Sequence, residues 1–222
     1  MKLLHQISCS LNCKAGLVSD IDDIKYTDRV IKYTSPTIVN VDWRNILKDP
    51  PKNSSKITLE ELLLLSQLTA NRSSEDLALI KDVDEDAAIT VKRVLKKHNH
   101  KFPQDLFDKF YTPTKQLIIN TKLFYNRPRP AQLAKVYNVK INVIESNTAK
   151  TPSYPSGHTV YAELAAELAK NLYPHLSNDL DIAVKLVGYA RMAQGVHFPS
   201  DNKASIILGN YIYNNLNSKI KA

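Results

Sequence analysis

From residue 57 onward the apolar residues recur at the spacing of an α-helix, and this periodicity limits the folds open to the chain more than any other feature. Leu62, Leu63, Leu65 and Leu68 follow it, as do Ala87, Ala88, Val91, Val94 and Leu95, and then Leu106, Phe107, Phe110, Leu117, Ile118 and Leu123. Only 5 glycines occur in 222 residues. That favours helix over sheet, because glycine weakens a helix by about 1 kcal/mol relative to alanine.

Local signals place the elements. Thr58 with Glu61 reads as a capping box opening the first helix, and Ser73 or Ser74 caps a second near 75–80. A third is expected over about 84–97 and a fourth over 103–123, kinked or split at Pro113. Residues 127–155 hold Pro128, Pro130, Pro152 and Pro155 and read as a long connection with a short β-like piece at 139–144. Helices follow at about 157–172, 179–192 and 201–217. The expectation is an all-α, single-domain bundle of six to eight helices. Residues 1–55, with Ser35–Pro36 and Asp49–Pro50–Pro51, form an irregular N-terminal segment anchored by Trp43, and 56–222 form the helical domain. A chain of this length suits one core.

Composition excludes several classes. Hydrophobic residues at 43% and charged residues at 23% lie near the globular norm, which excludes a disordered or fibrous chain. No apolar run approaches the roughly 20 residues that cross a bilayer. The start carries Lys2 and two leucines, but His5, Gln6, Ser8, Ser10 and Asn12 make it too polar for a good secretory core. Export is the reading if this weak start acts as a signal, and the cytoplasm otherwise. Cys9 and Cys13 are two free thiols or one local bridge. The net charge of +8 attracts anions. No block of basic residues reads as a nucleic-acid arm, so no specific nucleic-acid partner is expected.

Three segments carry chemistry. In the first, Lys122 and Arg129 stand seven residues apart, with Pro128 ending the helix near Arg127. An ammonium and a guanidinium so placed can clamp phosphate oxygens, although cations at a helix C-terminus also serve as dipole partners. Arg127 beside them reads as a surface arginine. The second segment, Tyr154-Pro155-Ser156-Gly157-His158, enters an Ala/Leu-rich helix. Its amides form an anion site and His158 can hand a proton to a leaving oxygen; the plainer reading is a Ser156 cap with an incidental histidine. In the third, Arg191 closes one helix, His197 lies on a loop and Asp201 opens the next helix. A carboxylate four residues after a histidine can hold Nδ1–H and leave Nε2 to attack phosphorus; the plainer reading is an Asp201 cap and a loop histidine. Taken together, the three supply what phosphoryl transfer requires: cations for the equatorial oxygens, an acid and a nucleophile.

The segments read as KxxxxxxRP, PSGH and a variant of SRxxxxxHxxxD, in that order. This set resembles the type 2 phosphatidic acid phosphatase (PAP2) superfamily, which includes the bacterial class A non-specific acid phosphatases and the vanadium haloperoxidases. The motifs span residues 122–201. The resemblance implies His197 as a nucleophile forming phosphohistidine, Asp201 orienting it, and His158 as general acid. It implies Lys122, Arg129 and Arg191 on the phosphate oxygens, with hydrogen bonds from Ser156 and Gly157. It also implies hydrolysis without a metal or other cofactor, vanadate as a phosphate mimic, a phosphorylated small molecule as substrate, and a homodimer. The departure is Ala190, where the pattern has serine.

The expected activity is that of a soluble, acid phosphatase-like hydrolase of phosphate monoesters. The alternatives are a lipid phosphate or pyrophosphate phosphatase working at a membrane surface, a vanadium haloperoxidase, and a non-catalytic binder of phosphate or nucleic acid.

Overall fold

The structure, a computed structural model, describes residues 21–26 and 42–220. His5, Cys9, Cys13, the candidate signal and Ser35–Pro36 lie outside the described residues. Eight α-helices follow a short 3-10 turn at Trp43–Asn45: α1 (Lys56–Ala70), α2 (Ser74–Glu85), α3 (Ile89–Lys97), α4 (Gln104–Tyr125), α5 (Pro130–Val136), α6 (Gly157–Leu172), α7 (Ser177–Ala193) and α8 (Pro199–Ile220). No strand occurs among the described residues.

The boundaries differ from the sequence reading for identifiable reasons. Ser55, not Thr58, caps α1: its hydroxyl accepts from the Thr58 amide at 3.2 Å, while the Thr58 hydroxyl donates to the Lys52 carbonyl at 2.8 Å. Glu61 therefore closes no capping box and turns inward. Ser73 caps α2 in a reciprocal box with Asp76. The helix expected over 84–97 is two helices. Asp86 is extended, and its carboxylate accepts from the Ala88 amide at 2.9 Å and from Lys92 at 2.8 Å, so the aspartate satisfies a turn in place of a helical ladder. This break leaves Asp84 in the last turn of α2. Helix α4 runs through Pro113 unsplit and ends at Asn126, whose left-handed φ of 46° suits asparagine ahead of Arg127-Pro128.

The 127–155 connection contains α5, which proline counting hid. Pro130 occupies the first helical position, where its missing N–H costs nothing. The expected β-like piece at 139–144 is not a strand. Ile144 makes one main-chain bond, to the Gln194 carbonyl at 3.0 Å.

Helix α6 is the centre of the bundle and packs against α3, α4, α7 and α8; α7 in turn meets α1, α2 and α3. The alanines of α6 make this possible: Ala162, Ala165, Ala166 and Ala169 are buried and allow neighbouring helices to approach closely. Closest of all is α8 at Gly209, where an added Cβ would lie 2.7 Å from Glu163 Cβ. A smaller cluster unites Leu62 and Leu65 of α1, Leu133 and Ala134 of α5, and Phe198. Trp43 packs edge-on against Phe124, ring centroids 5.0 Å apart, and holds the segment before α1 on the body. The result is a scaffold in which the C-terminal end of α4, the N-termini of α6 and α8, and the end of α7 converge.

Candidate active site

A cavity of about 420 Å³ opens at this convergence, with Lys122, Arg129, Gly157, His158 and His197 among its lining residues. Asp201 and Arg191 lie behind the wall, and both are buried.

His197 follows Gly195, whose φ of +84° lets the chain turn back from α7. Its two ring nitrogens meet opposite partners. Nδ1 lies 3.1 Å from Asp201 Oδ2, and Nε2 lies 2.9 Å from Arg129 Nη1. A carboxylate can only accept and a guanidinium can only donate, so the proton resides on Nδ1 and a lone pair on Nε2. Burial lowers the pKa of the ring well below the ordinary histidine value, reinforced by Arg129 and Lys122 and opposed by Asp201. The imidazole is therefore neutral and keeps a lone pair on Nε2.

Asp201 is itself held. It sits in the first turn of α8, where Oδ2 accepts from the Phe198 amide at 2.9 Å. Oδ1 accepts from Arg127 Nη1 at 2.6 Å. Burial opposes its charge, but Arg127, the His197 hydrogen bond and the Phe198 amide outweigh that and keep its carboxyl well below the usual range. Arg127 is thus not the surface residue expected. It is 2% exposed and joins Asp201 to Glu61, 3.2 Å from Nη2. Glu61 in turn accepts from the Ser200 amide at 2.7 Å and the Ser200 hydroxyl at 2.9 Å, filling orphan donors at the start of α8. Neither Arg127 nor Glu61 belongs to a motif. The only signal in the sequence was the Arg-Pro-Arg-Pro run, which gives no indication of which guanidinium turns inward.

Lys122 and Arg129 are positioned by main chain, Arg191 by side chains. Lys122, in the last turn of α4, donates to the Pro152 carbonyl at 2.6 Å. Burial and the neighbouring Arg129 push its pKa well below the usual lysine value. Arg129 donates from Nε to the Thr151 carbonyl at 2.8 Å and from Nη1 to the Val196 carbonyl at 2.7 Å. Arg191 donates from Nη1 to Oδ1 of Asp84, a residue of the cavity wall, at 2.6 Å and to Gln194 at 2.6 Å.

Ser156 is the N-cap of α6. Its Oγ accepts from the Thr159 hydroxyl at 3.0 Å, and its amide donates to Ser205 Oγ at 2.8 Å. It is fully buried and shapes the helix start without lining the cavity. Gly157 does line it. A Cβ there would make an ordinary 3.7 Å contact with Ile118, so packing at this position does not itself demand glycine. His158 stands half-buried in the first turn of α6, its pKa pushed down to about 3 by burial and by Arg191, against the opposing pull of the Asp84 carboxylate and carbonyl. Ala190 is fully buried in the main core. Among the described residues no group of His, Cys, Asp and Glu is arranged to hold a metal ion, and no helix is long and apolar enough to cross a membrane.

The bundle thus gathers two histidines, an aspartate and three cations in and behind the wall of one cavity. Residues 111–215 match the model of the PAP2 superfamily. Among solved structures, the crystal structure of the first transmembrane PAP2-type phosphatidylglycerolphosphate phosphatase from Bacillus subtilis is similar in fold. Its TM-score is 0.50 and its identity 17%, covering 75% of this chain and 88% of that one. No curated protein matches the chain.

Proposed function

We propose that this protein is a metal-independent phosphatase that hydrolyses phosphate monoesters, in the manner of an acid phosphatase, through a phosphohistidine intermediate. The observation that carries the reading is the pair of bonds on His197: Asp201 on Nδ1 and Arg129 on Nε2 leave a neutral ring with its lone pair among cations. A phosphate oxygen takes over the Arg129 N–H that now meets Nε2. Lys122 and Arg191 bind the other oxygens, the Gly157 amide adds a hydrogen bond, and Ser156 aims that helix start. Nε2 then attacks phosphorus; the P–N bond forms as the P–O bond to the leaving alcohol breaks, and His158 gives its proton to the departing oxygen. In the second half His158 takes a proton from water, whose oxygen attacks phosphorus and breaks the P–N bond. The three cations in and behind the wall favour an anion over a metal ion, and the same charges suit vanadate.

The lipid-phosphate alternative has one observation in its favour: beyond the polar end, the cavity is walled by Phe107, Tyr111, Ile118 and Tyr161. The test is hydrolysis of p-nitrophenyl phosphate from acid to mildly alkaline pH with EDTA present, comparing wild type with His197→Ala, alongside micellar phosphatidate. Turnover that survives EDTA and vanishes in the variant is expected. Activity on micellar phosphatidate alone would favour the lipid reading, and activity abolished by EDTA would overturn metal independence.

A further inference from the structure

Asp84 belongs to none of the three motifs, yet it holds the guanidinium of the third. Its Oδ1 accepts from Arg191 Nη1 at 2.6 Å, from Ser146 Oγ at 2.6 Å and from Thr148 Oγ1 at 3.3 Å. His158 stands on the same cavity wall. Asp84 and Thr148 both line the cavity.

We propose that Asp84 is an anion built into the site: it pairs with Arg191 when no phosphate is bound and competes there with incoming phosphate. This inference rests on the phosphatase reading above. Arg191 is 1% exposed, and a guanidinium so withdrawn from water is strongly unfavourable without a counter-charge. Asp84 supplies that charge when no phosphate is present. Its shared carboxylate is kept ionised, because burial is outweighed by the Ser146 hydroxyl and Arg191. Once phosphate arrives, two anions share one guanidinium, so Asp84 weakens retention of the phosphate product. The same carboxylate favours the protonated form of His158. One residue thus loosens product binding and supports the proton donor. Its connection to Ser146 and Thr148 makes both effects depend on the 146–149 turn staying docked.

Asp84→Asn separates charge from shape. The amide keeps an oxygen for Ser146 and Arg191; only the charge is lost. Orthophosphate, measured by calorimetry and as a competitive inhibitor, is expected to bind roughly three- to ten-fold tighter. The alkaline limb of kcat is expected to move to lower pH by about half a unit. Asp84→Ser removes the same charge and serves as the second variant should the first misfold. A wild type that binds and hydrolyses phosphate esters, with both variants unchanged in orthophosphate affinity and pH limb, would overturn the role of Asp84 alone. A wild type that binds orthophosphate without turnover leaves the affinity comparison as the deciding arm. A wild type that neither binds nor hydrolyses overturns both readings.

Discussion

Arg127 donates to Asp201 at 2.6 Å with both side chains closed off from solvent, so the carboxylate that fixes the candidate nucleophile is itself fixed by an arginine outside the motif positions. Replacing it by leucine leaves Asp201 and Glu61 as buried, uncompensated carboxylates. The expected cost is about 3–5 kcal/mol, read from urea unfolding. Arg127→Lys keeps a charge but cannot fork between two carboxylates, so it is expected to recover part of the stability and still turn over at least about tenfold more slowly, because His197 loses its anchor.

Binding of phosphate should draw in a proton. With no anion bound, His158 has its pKa pushed down to about 3 and is neutral across mildly acidic pH. A bound anion offsets Lys122 and Arg191, the pKa rises, and the ring protonates at constant pH. Calorimetry of vanadate or phosphate binding in buffers of different ionisation enthalpy is expected to record an uptake approaching one proton more than in His158→Ala. Equal proton balance in the two proteins would contradict the general-acid assignment.

Glu163 links pH to stability. It is 4% exposed in the centre of the bundle against α8, and burial raises its pKa from 4.5 to about 7; Lys170 opposes the shift, while Glu167 and Asp181 add to it. The folded state thus favours the neutral acid. Its contribution is complete below about pH 4.5 and is lost as the pH rises through about 7, roughly 3 kcal/mol across that window. Glu163→Gln keeps the shape without the charge, and its thermal midpoint is expected to fall much less than that of wild type between mildly acidic and mildly alkaline pH.

Gly209→Ala tests the α6–α8 contact. The new methyl would sit 2.7 Å from Glu163 Cβ and 3.0 Å from the Val160 carbonyl, both on a helix that is enclosed on every side. A loss of about 1–3 kcal/mol is expected from unfolding curves. Because α8 also carries Asp201, kcat should fall with it. An unchanged midpoint would mean that the helices separate freely at this point.

Much of this molecule was legible before folding was considered. The period of the apolar residues gave the helices. Their order gave the three motif segments, because a loop histidine four residues ahead of a carboxylate, or a serine ahead of a helix, is a local pattern. Local misreadings arose where two local signals compete. Thr58 and Ser55 can each cap a helix, and Asp86 breaks what apolar spacing alone would continue. Pro130 reads as a loop residue until its place at a helix start is considered.

What the sequence by itself determined was the set of elements and the chemical groups they carry: His158, His197, Asp201 and the cations, each at or next to the end of a helix, because caps, prolines and periodicity act within a few residues. Only the tertiary structure decided which charges face one another. Arg127 reaches Glu61 across 66 positions and Asp201 across 74, and Arg191 reaches Asp84 across 107. No local pattern encodes such pairs. They exist because close packing withdraws these charges from water, and a buried charge is tolerated only where the fold brings it an opposite one.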